Sequence, residues 1–291
     1  MKILVTGKTG QLGRSIRKIV ESTHQKHEYI FTTRAELDFS IIKSISSYFQ
    51  YHQFDLVINC AAFTAVDKAE EEKELTGLIN HEALKQICEI LIQNNTKLIH
   101  ISTDYVFDGN SKKPYKEDDI PNPINFYGKT KLEGEKVVQK IMPKNAIIIR
   151  AGWIFSEFGG NFLDTILKLG KEREELNIIY DQIGSPTYAM DLAEAILTII
   201  DSKKYNSENQ ETEIYHYSNE GSCSWYDFAK VIFKLANIKC KINPIKSDEY
   251  VSSSKRPSYS IMSKDKIKKN FNLVIPYYQD SVNQCIAQKL E

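Results

Sequence analysis

The chain has 291 residues, 42% of them hydrophobic, enough to bury a full core as one large or two modest domains. Its 38 basic and 38 acidic side chains balance, which argues against a nucleic-acid or membrane-surface binder, since both need a basic excess or a basic stripe. No apolar run reaches the ~18 residues of a membrane span or makes a signal peptide, and the cysteines (Cys60, Cys88, Cys223, Cys240 and Cys285) are odd in number and lack metal-ligand spacing. Reduced thiols, a cytoplasmic location and no metal site are expected.

Residues 2–6 (KILVT) read as a short apolar strand that stops at Gly7, and glycines 7, 10 and 13 then precede Ile16, Ile19 and Val20 at helical spacing. A strand, glycine turn and helix in this order let a pyrophosphate approach the backbone and meet the helix N-terminus, so Gly7, Gly10, Gln11, Leu12 and Gly13 are candidate dinucleotide contacts. A second strand is predicted at 29–33. The residue at its end, where an adenosine ribose is met, is Arg34 and not an acid. A guanidinium pairs a 2′-phosphate, which favours NADPH and leaves NADH possible; the alternative is an ordinary surface arginine. Asp38, with Phe39 beside it, is a second candidate, for the adenine edge.

The run 56–62 (LVINCAA) is nearly all apolar, as a parallel strand buried on both faces should be. Its small residues Ala61 and Ala62, followed by Phe63 and Thr64, leave room for a cofactor at the strand's end, or serve core packing alone. Residues 67–74 read as an acidic, solvated helical turn, and 78–92 as a helix in which Asn80 is a polar exception that braces the sheet edge or a water. A strand at 97–102 carries His100, read as a satisfied core residue, and delivers Thr103 and Asp104 to the same rim as the glycine turn. After a proline-marked loop, YGKTK places Tyr127 and Lys131 on one helix face, one turn apart. A phenol titrates near ~10, and a neighbouring ammonium stabilises its anion, so the pair can move a proton at neutral pH.

The strand at 147–150 is taken as the last of the core. Beyond it stand Trp153, the GGNF segment with Asn161, DQIGSPTY from Asp181, and VSSSKRPSYS with Arg256; a helix at 191–200 returns to the first domain. Trp153 either packs on a sugar ring or is a buried aromatic, and Arg256 either meets a diphosphate or is a surface charge. The pattern predicts an α/β fold: a Rossmann-type doubly wound parallel sheet formed by 1–150 plus about 188–218, with a smaller C-terminal α/β substrate-binding domain from about 151–187 and 219–291.

TGKTGQLG, NCAAFTAVDKAE, STDYVF, YGKTKLEGE, GWIF with GGNF, DQIGSPT, WYDFA and KRPSYS together resemble the extended short-chain dehydrogenases/reductases, and within them the dTDP-4-dehydrorhamnose reductases. The resemblance runs from the first strand to the last helix. It implies a catalytic triad of Thr103, Tyr127 and Lys131, with Tyr127 and Lys131 also touching the cofactor. It further implies contacts of Thr103, Asp104 and Trp153 with the sugar nucleotide dTDP-4-dehydro-L-rhamnose, whose C4 ketone would be reduced. Some members of that family carry an acid early in the first helix for a metal-linked dimer. Arg14 and Ser15 stand there, so monomer and homodimer both stay open. A 4,6-dehydratase needs a second carboxylate after Asp104, where Tyr105 stands, and an epimerase that retains NAD fits poorly with Arg34. The regulatory subunit of methionine adenosyltransferase is similar in the SDYVFDG and YGKTK regions. Trp153, GGNF and DQIGSPT favour the reductase over that non-catalytic alternative.

Overall fold

The structure is a computed structural model that describes residues 1–23, 26–207 and 210–290. The chain opens with β1 (Lys2–Thr6), α1 (Gln11–Ser22), β2 (Glu28–Thr32), α2 (Ile42–Tyr51) and β3 (Leu56–Asn59). Short helices α3 (Val66–Glu71) and α4 (Lys73–Gly77), a π-helical turn at Leu78–Glu82 and α5 (Ala83–Gln93) lead to β4 (Lys97–Thr103). The next helix, α6 (Phe126–Ile141), precedes β5 (Ala146–Ala151). The chain then makes β6 (Ile154–Phe155), α7 (Phe162–Glu172), β7 (Glu175–Ile179), β8 (Ile183–Gly184), β9 (Thr187–Tyr188), α8 (Ala189–Asp201) and α9 (Lys203–Asn206). Last come β10 (Glu213–Tyr217), β11 (Cys223–Ser224), α10 (Trp225–Leu235), β12 (Lys241–Ile245), α11 (Asp265–Phe271) and α12 (Tyr278–Leu290).

Six strands form one sheet in the order β10-β5-β4-β3-β1-β2, and every pairing in it is parallel. β3 is buried at all four residues, because a parallel strand in this position has helices on both faces. One face packs against α1 and α8 through Ile16, Leu192, Ile196 and Ile199; the other packs against α2, α5 and α6 through Ile45, Leu84, Ile87 and Val138. The doubly wound α/β fold expected from the sequence is therefore present. The strand order reverses between β1 and β3, so their carboxyl ends, with Gly7 on one and Cys60 on the other, open the crevice where such sheets take ligands. A separate apolar cluster built on Phe155, Leu163, Phe228, Ile232 and Val282 holds α7, α10 and α12 together.

Two sequence expectations are corrected. The second strand ends one residue early, since Thr33 turns to donate both its N–H (2.7 Å) and its hydroxyl (2.9 Å) to Glu36, and Arg34 leaves the ladder. The strand at 147–150 is not the last of the core: β10 pairs along it from Glu213 with Ile147 to Tyr217 with Ala151. Polar letters masked β10 in the sequence. Its fully buried His216 sits 3.4 Å from the Arg150 guanidinium, and Arg150 in turn makes a bidentate ion pair with Glu135 of α6 (2.7 and 2.9 Å). Ser102 of β4 donates to the same carboxylate at 2.5 Å, so three elements close around one buried pair. Losing either partner leaves an uncompensated charge that costs about 3–5 kcal/mol.

Burial and then the Arg150 charge push His216 down to about 3, and burial together with Lys131 drives His100 well below its ordinary value. An unfolded histidine titrates near ~6.5, so stability is full above that pH and is lost as pH falls toward the folded value, by about 1.4 kcal/mol per unit for each residue. Urea unfolding of His216→Gln between about pH 6.5 and pH 4 should show a pH slope shallower than wild type by that amount. Parallel slopes would mean that His216 does not titrate on unfolding.

Candidate functional site

The carboxyl ends of β1, β3, β4 and β5 surround a cavity of about 780 Å³ together with the first turns of α1 and α6. Gly7 has φ +72°, and a Cβ there would stand 3.0 Å from the backbone of Cys60 and Ala61, while a Cβ on Gly13 would run into the Gly7 carbonyl. Strand, turn and helix thus touch through backbone alone. α1 has no side-chain cap on its first N–H groups and no acid in its first turn, which leaves the positive end of its dipole facing the cavity.

At the far rim Arg34 is largely exposed; its guanidinium donates to Asp38 (3.1 Å) and to the Ser40 hydroxyl (3.1 Å). Asp38 also accepts the N–H and hydroxyl of Ser40, so its carboxylate orients Arg34 and closes the loop. Phe39 is buried in the core below and shows one side to the cavity. The segment with Ala61, Ala62, Phe63 and Thr64 forms the cavity's other wall. Its course is fixed by Asn80, whose side chain accepts from the Phe63 N–H (2.8 Å) and donates to the Phe63 carbonyl (3.1 Å) and the Thr130 hydroxyl (3.1 Å). The π-helical turn carries Asn80 inward, which a uniform 3.6-residue period does not reveal.

α6 begins at Asn125, whose side chain accepts from the Gly128 N–H at 2.7 Å. One turn on, Tyr127 and Lys131 are both buried against β4. Lys131 donates to the Ile101 carbonyl (2.7 Å) and meets Nε2 of His100 at 3.3 Å. Burial lowers it to about 8, against the opposing pull of Glu135 and Cys60. Tyr127 is pushed up to about 12 by burial, with Thr103 pulling down and Asp104 pushing up. The phenol is thus held protonated, while the Lys131 amine one turn along faces His100 and the Ile101 carbonyl. Thr103 donates to Asp104 Oδ1 at 3.1 Å. Burial raises the Asp104 carboxyl to about 6 against the pull of Ser260 and Thr103, and its Oδ2 is buried against Gly152 with no close hydrogen-bond partner.

Across the cavity, Trp153 stacks on Trp225 with ring centroids 3.4 Å apart and planes 2° from parallel. One face of Trp153 is therefore taken by a second tryptophan that sequence reasoning left without a role. Asn161 caps α7 by accepting from Asp164 N–H (3.0 Å), and its amide donates to Gln11 Oε1 (2.8 Å) and the Ser156 carbonyl (2.9 Å). Gln11 and Asn161 thus bind each other across the cavity's edge. Arg256 donates to Asp67 at 2.9 Å, and the same carboxylate accepts from the Ser252 hydroxyl (2.8 Å) and the Ser254 N–H (3.3 Å). The acidic turn of α3 is therefore a clip for the 252–256 segment and not merely a solvated face. Every candidate residue named from the sequence lines this one cavity, and a second cavity of about 1360 Å³ adjoins it through Gly160, Asn161, Trp225 and Arg256.

A parallel sheet with a glycine cradle at its switch point, and a Tyr-x-x-x-Lys helix beside the Thr103 rim, defines a Rossmann-type protein of the short-chain dehydrogenase/reductase class. The chain belongs to the RmlD substrate binding domain family, which it matches over residues 1–291. It is 37% identical over 279 residues to dTDP-4-dehydrorhamnose reductase of Aggregatibacter actinomycetemcomitans, covering 94% of each chain. Its fold superposes on a dTDP-4-dehydrorhamnose reductase from Clostridium acetobutylicum ATCC 824 with a TM-score of 0.92, 37% identity and full coverage of both chains. A dTDP-4-dehydrorhamnose reductase from Bacillus anthracis str. Ames in complex with NADP aligns at a TM-score of 0.91 and 34% identity, over 99% of each chain.

Asn80→Ala would strand the part-buried N–H and carbonyl of Phe63 and the buried Thr130 hydroxyl contact, and is expected to cost about 1–3 kcal/mol in urea unfolding. A loss below about 0.5 kcal/mol would mean the wall is anchored by other contacts.

Proposed function

We propose that this chain is a dTDP-4-dehydrorhamnose reductase that reduces the C4 ketone of dTDP-4-dehydro-L-rhamnose to dTDP-L-rhamnose with NADPH. What carries the reading is the single cavity that brings the glycine cradle, the Thr103–Tyr127–Lys131 group and the Trp153–Trp225 wall together, in a chain whose relatives bear that name. The cradle fits a nicotinamide dinucleotide: the space a Cβ would fill at Gly7 and Gly13 is kept clear, and the uncapped α1 N-terminus suits a pyrophosphate. Gly7, Gly10, Gln11, Leu12 and Gly13 would hold the phosphates, Arg34 the 2′-phosphate, Asp38 and Phe39 the adenosine side, and Ala61–Thr64 the middle of the cofactor. When bound, the cofactor supplies the hydride.

Tyr127, kept protonated by burial, gives its proton to the ketone oxygen. Thr103 donates a second hydrogen bond there once Asp104 no longer holds its hydroxyl, and Lys131 turns to the nicotinamide ribose. Asp104, which lines the cavity beside Thr103, takes a sugar hydroxyl, and Trp153, braced by Trp225, walls the ring. Arg256, whose Nε is also buried without a partner, moves from Asp67 to the diphosphate, with the nucleotide in the adjoining cavity. A two-part division, 1–150 with about 188–218 against about 151–187 with 219–291, is supported by the sheet on one side and the α7–α10–α12 cluster on the other.

Arg14 is engaged inside the chain, donating to the Phe158 carbonyl at 3.3 Å and lying over its ring, which supports a monomer or a dimer assembled without a bridging metal. Free cysteines among the described residues, and the lack there of any helix long and apolar enough to cross a membrane, support a cytoplasmic site of action. The regulatory-subunit reading is not favoured by the relatives found.

The test is NADPH oxidation on adding dTDP-4-dehydro-L-rhamnose. Tyr127→Phe should abolish turnover while NADPH still binds; undiminished turnover would refute the proton-donor role. No oxidation by a wild-type protein that binds NADPH would refute the reductase reading and turn attention to a partner enzyme. Arg34→Ala should erode the preference for NADPH over NADH by about 10-fold or more, the value of a charged hydrogen bond.

A further inference from the structure

Beneath the active-site lysine, the core holds a chain of buried polar groups that the chemistry above does not use. The Thr6 hydroxyl donates to Asn59 Oδ1 (2.7 Å), and Asn59 Nδ2 meets His100 Nδ1 (3.1 Å). His100 Nε2 meets Lys131 Nζ (3.3 Å). The direction of the chain is fixed at one end by the backbone. The Ala61 N–H lies 3.2 Å from Asn59 Oδ1 and 3.3 Å from the Thr6 hydroxyl oxygen, and a backbone N–H can only donate. Turning the Asn59 amide over would set its NH₂ group against that N–H. Held this way, Asn59 donates to Nδ1 of His100, and a neutral imidazole that accepts at Nδ1 carries its proton on Nε2. Complete burial keeps the ring neutral.

The Nε2–H bond then points at Lys131. An ammonium there would oppose donor to donor, whereas an amine presents its lone pair to Nε2–H and still donates to the Ile101 carbonyl at 2.7 Å. We infer that Asn59 and His100 are positioning residues that set the protonation of Lys131, favouring its neutral amine over its ammonium. The charged and titratable groups facing Lys131 leave this bias standing. Glu135, one turn along α6, is committed to Arg150, and burial holds the Cys60 thiol, at the exit of β3, protonated. Tyr127, one turn back, is held neutral by burial, and His100 faces from β4. Burial of Lys131 acts in the same direction. In the reductase reading, on which this consequence rests, Lys131 turns to the nicotinamide ribose from a pocket that disfavours its charge.

The inference is tested on protein without added cofactor by ¹⁵N resonances of the His100 ring, assigned by their absence in His100→Gln. The expected result is a protonated Nε2 and an unprotonated Nδ1; the reverse assignment overturns the proposal. The same variant gives a second reading, since a glutamine can turn its carbonyl to an ammonium. The ¹³Cε titration midpoint of Lys131, identified by its loss in Lys131→Met, should rise by about one unit or more in His100→Gln. An unchanged or lowered midpoint would show that His100 accepts from Lys131, and overturns the proposal as well. These resonances are read whether or not the protein turns over the sugar nucleotide, so failure of the inference and failure of the reductase reading remain distinguishable.

Discussion

A lysine side chain buried at the end of a strand has to be met by acceptors or give up its charge, and much of this site is arranged around that requirement. Lys131 finds one carbonyl and one imidazole, both on β4, and this contact sets how α6 lies along the sheet. The Glu135–Arg150 pair one turn further on repeats the logic with a full ion pair and ties the same helix to β5. Asn80 ties it through Thr130 to the loop beyond β3. The helix that carries Tyr127 is thus held by buried polar contacts to three neighbours, each costly to leave unmade. That rigidity is what lets a phenol sit at a defined place above the sheet edge.

The second half of the chain is attached to this frame at its rim. Gln11 bonds to Asn161 and Ser156, Lys18 pairs with Glu157 at 2.9 Å, and Asp67 holds Arg256. The first of these puts a side chain from the glycine turn onto the cap of α7, so the two sides of the cavity share a hydrogen bond. The last is an ion pair at a partly exposed position, with little net stability to lose, and it can be exchanged for another anion without unfolding anything.

What the sequence disclosed, and what it did not, divides along local and tertiary lines. The glycine turn and Tyr127 with Lys131 were legible because their geometry is set within a few residues: a strand followed by Gly7, or a four-residue step on a helix. The run of β3 was legible because burial on both faces leaves a single polar letter, Asn59. β10 was not, because its His216 and Glu213 become acceptable only beside Arg150 and Lys266, which lie far away in the chain. Asp67 read as solvent-facing since its partners are nearly two hundred residues on. His100 was rightly placed in the core, but its neighbour Lys131 could not be read from the strand alone. The face of Trp153 was offered to a sugar, and only the fold shows Trp225 already lying against it.

That last contact gives the protein an optical property of its own. The chain has two tryptophans, and they are these two. Stacked at 3.4 Å in the cavity wall, their indoles form a close pair, so the indole part of the emission and of the near-ultraviolet dichroism arises from a single patch on that wall. Excited at the red edge of the indole band, where tyrosine does not absorb, the protein reports on that cavity wall alone.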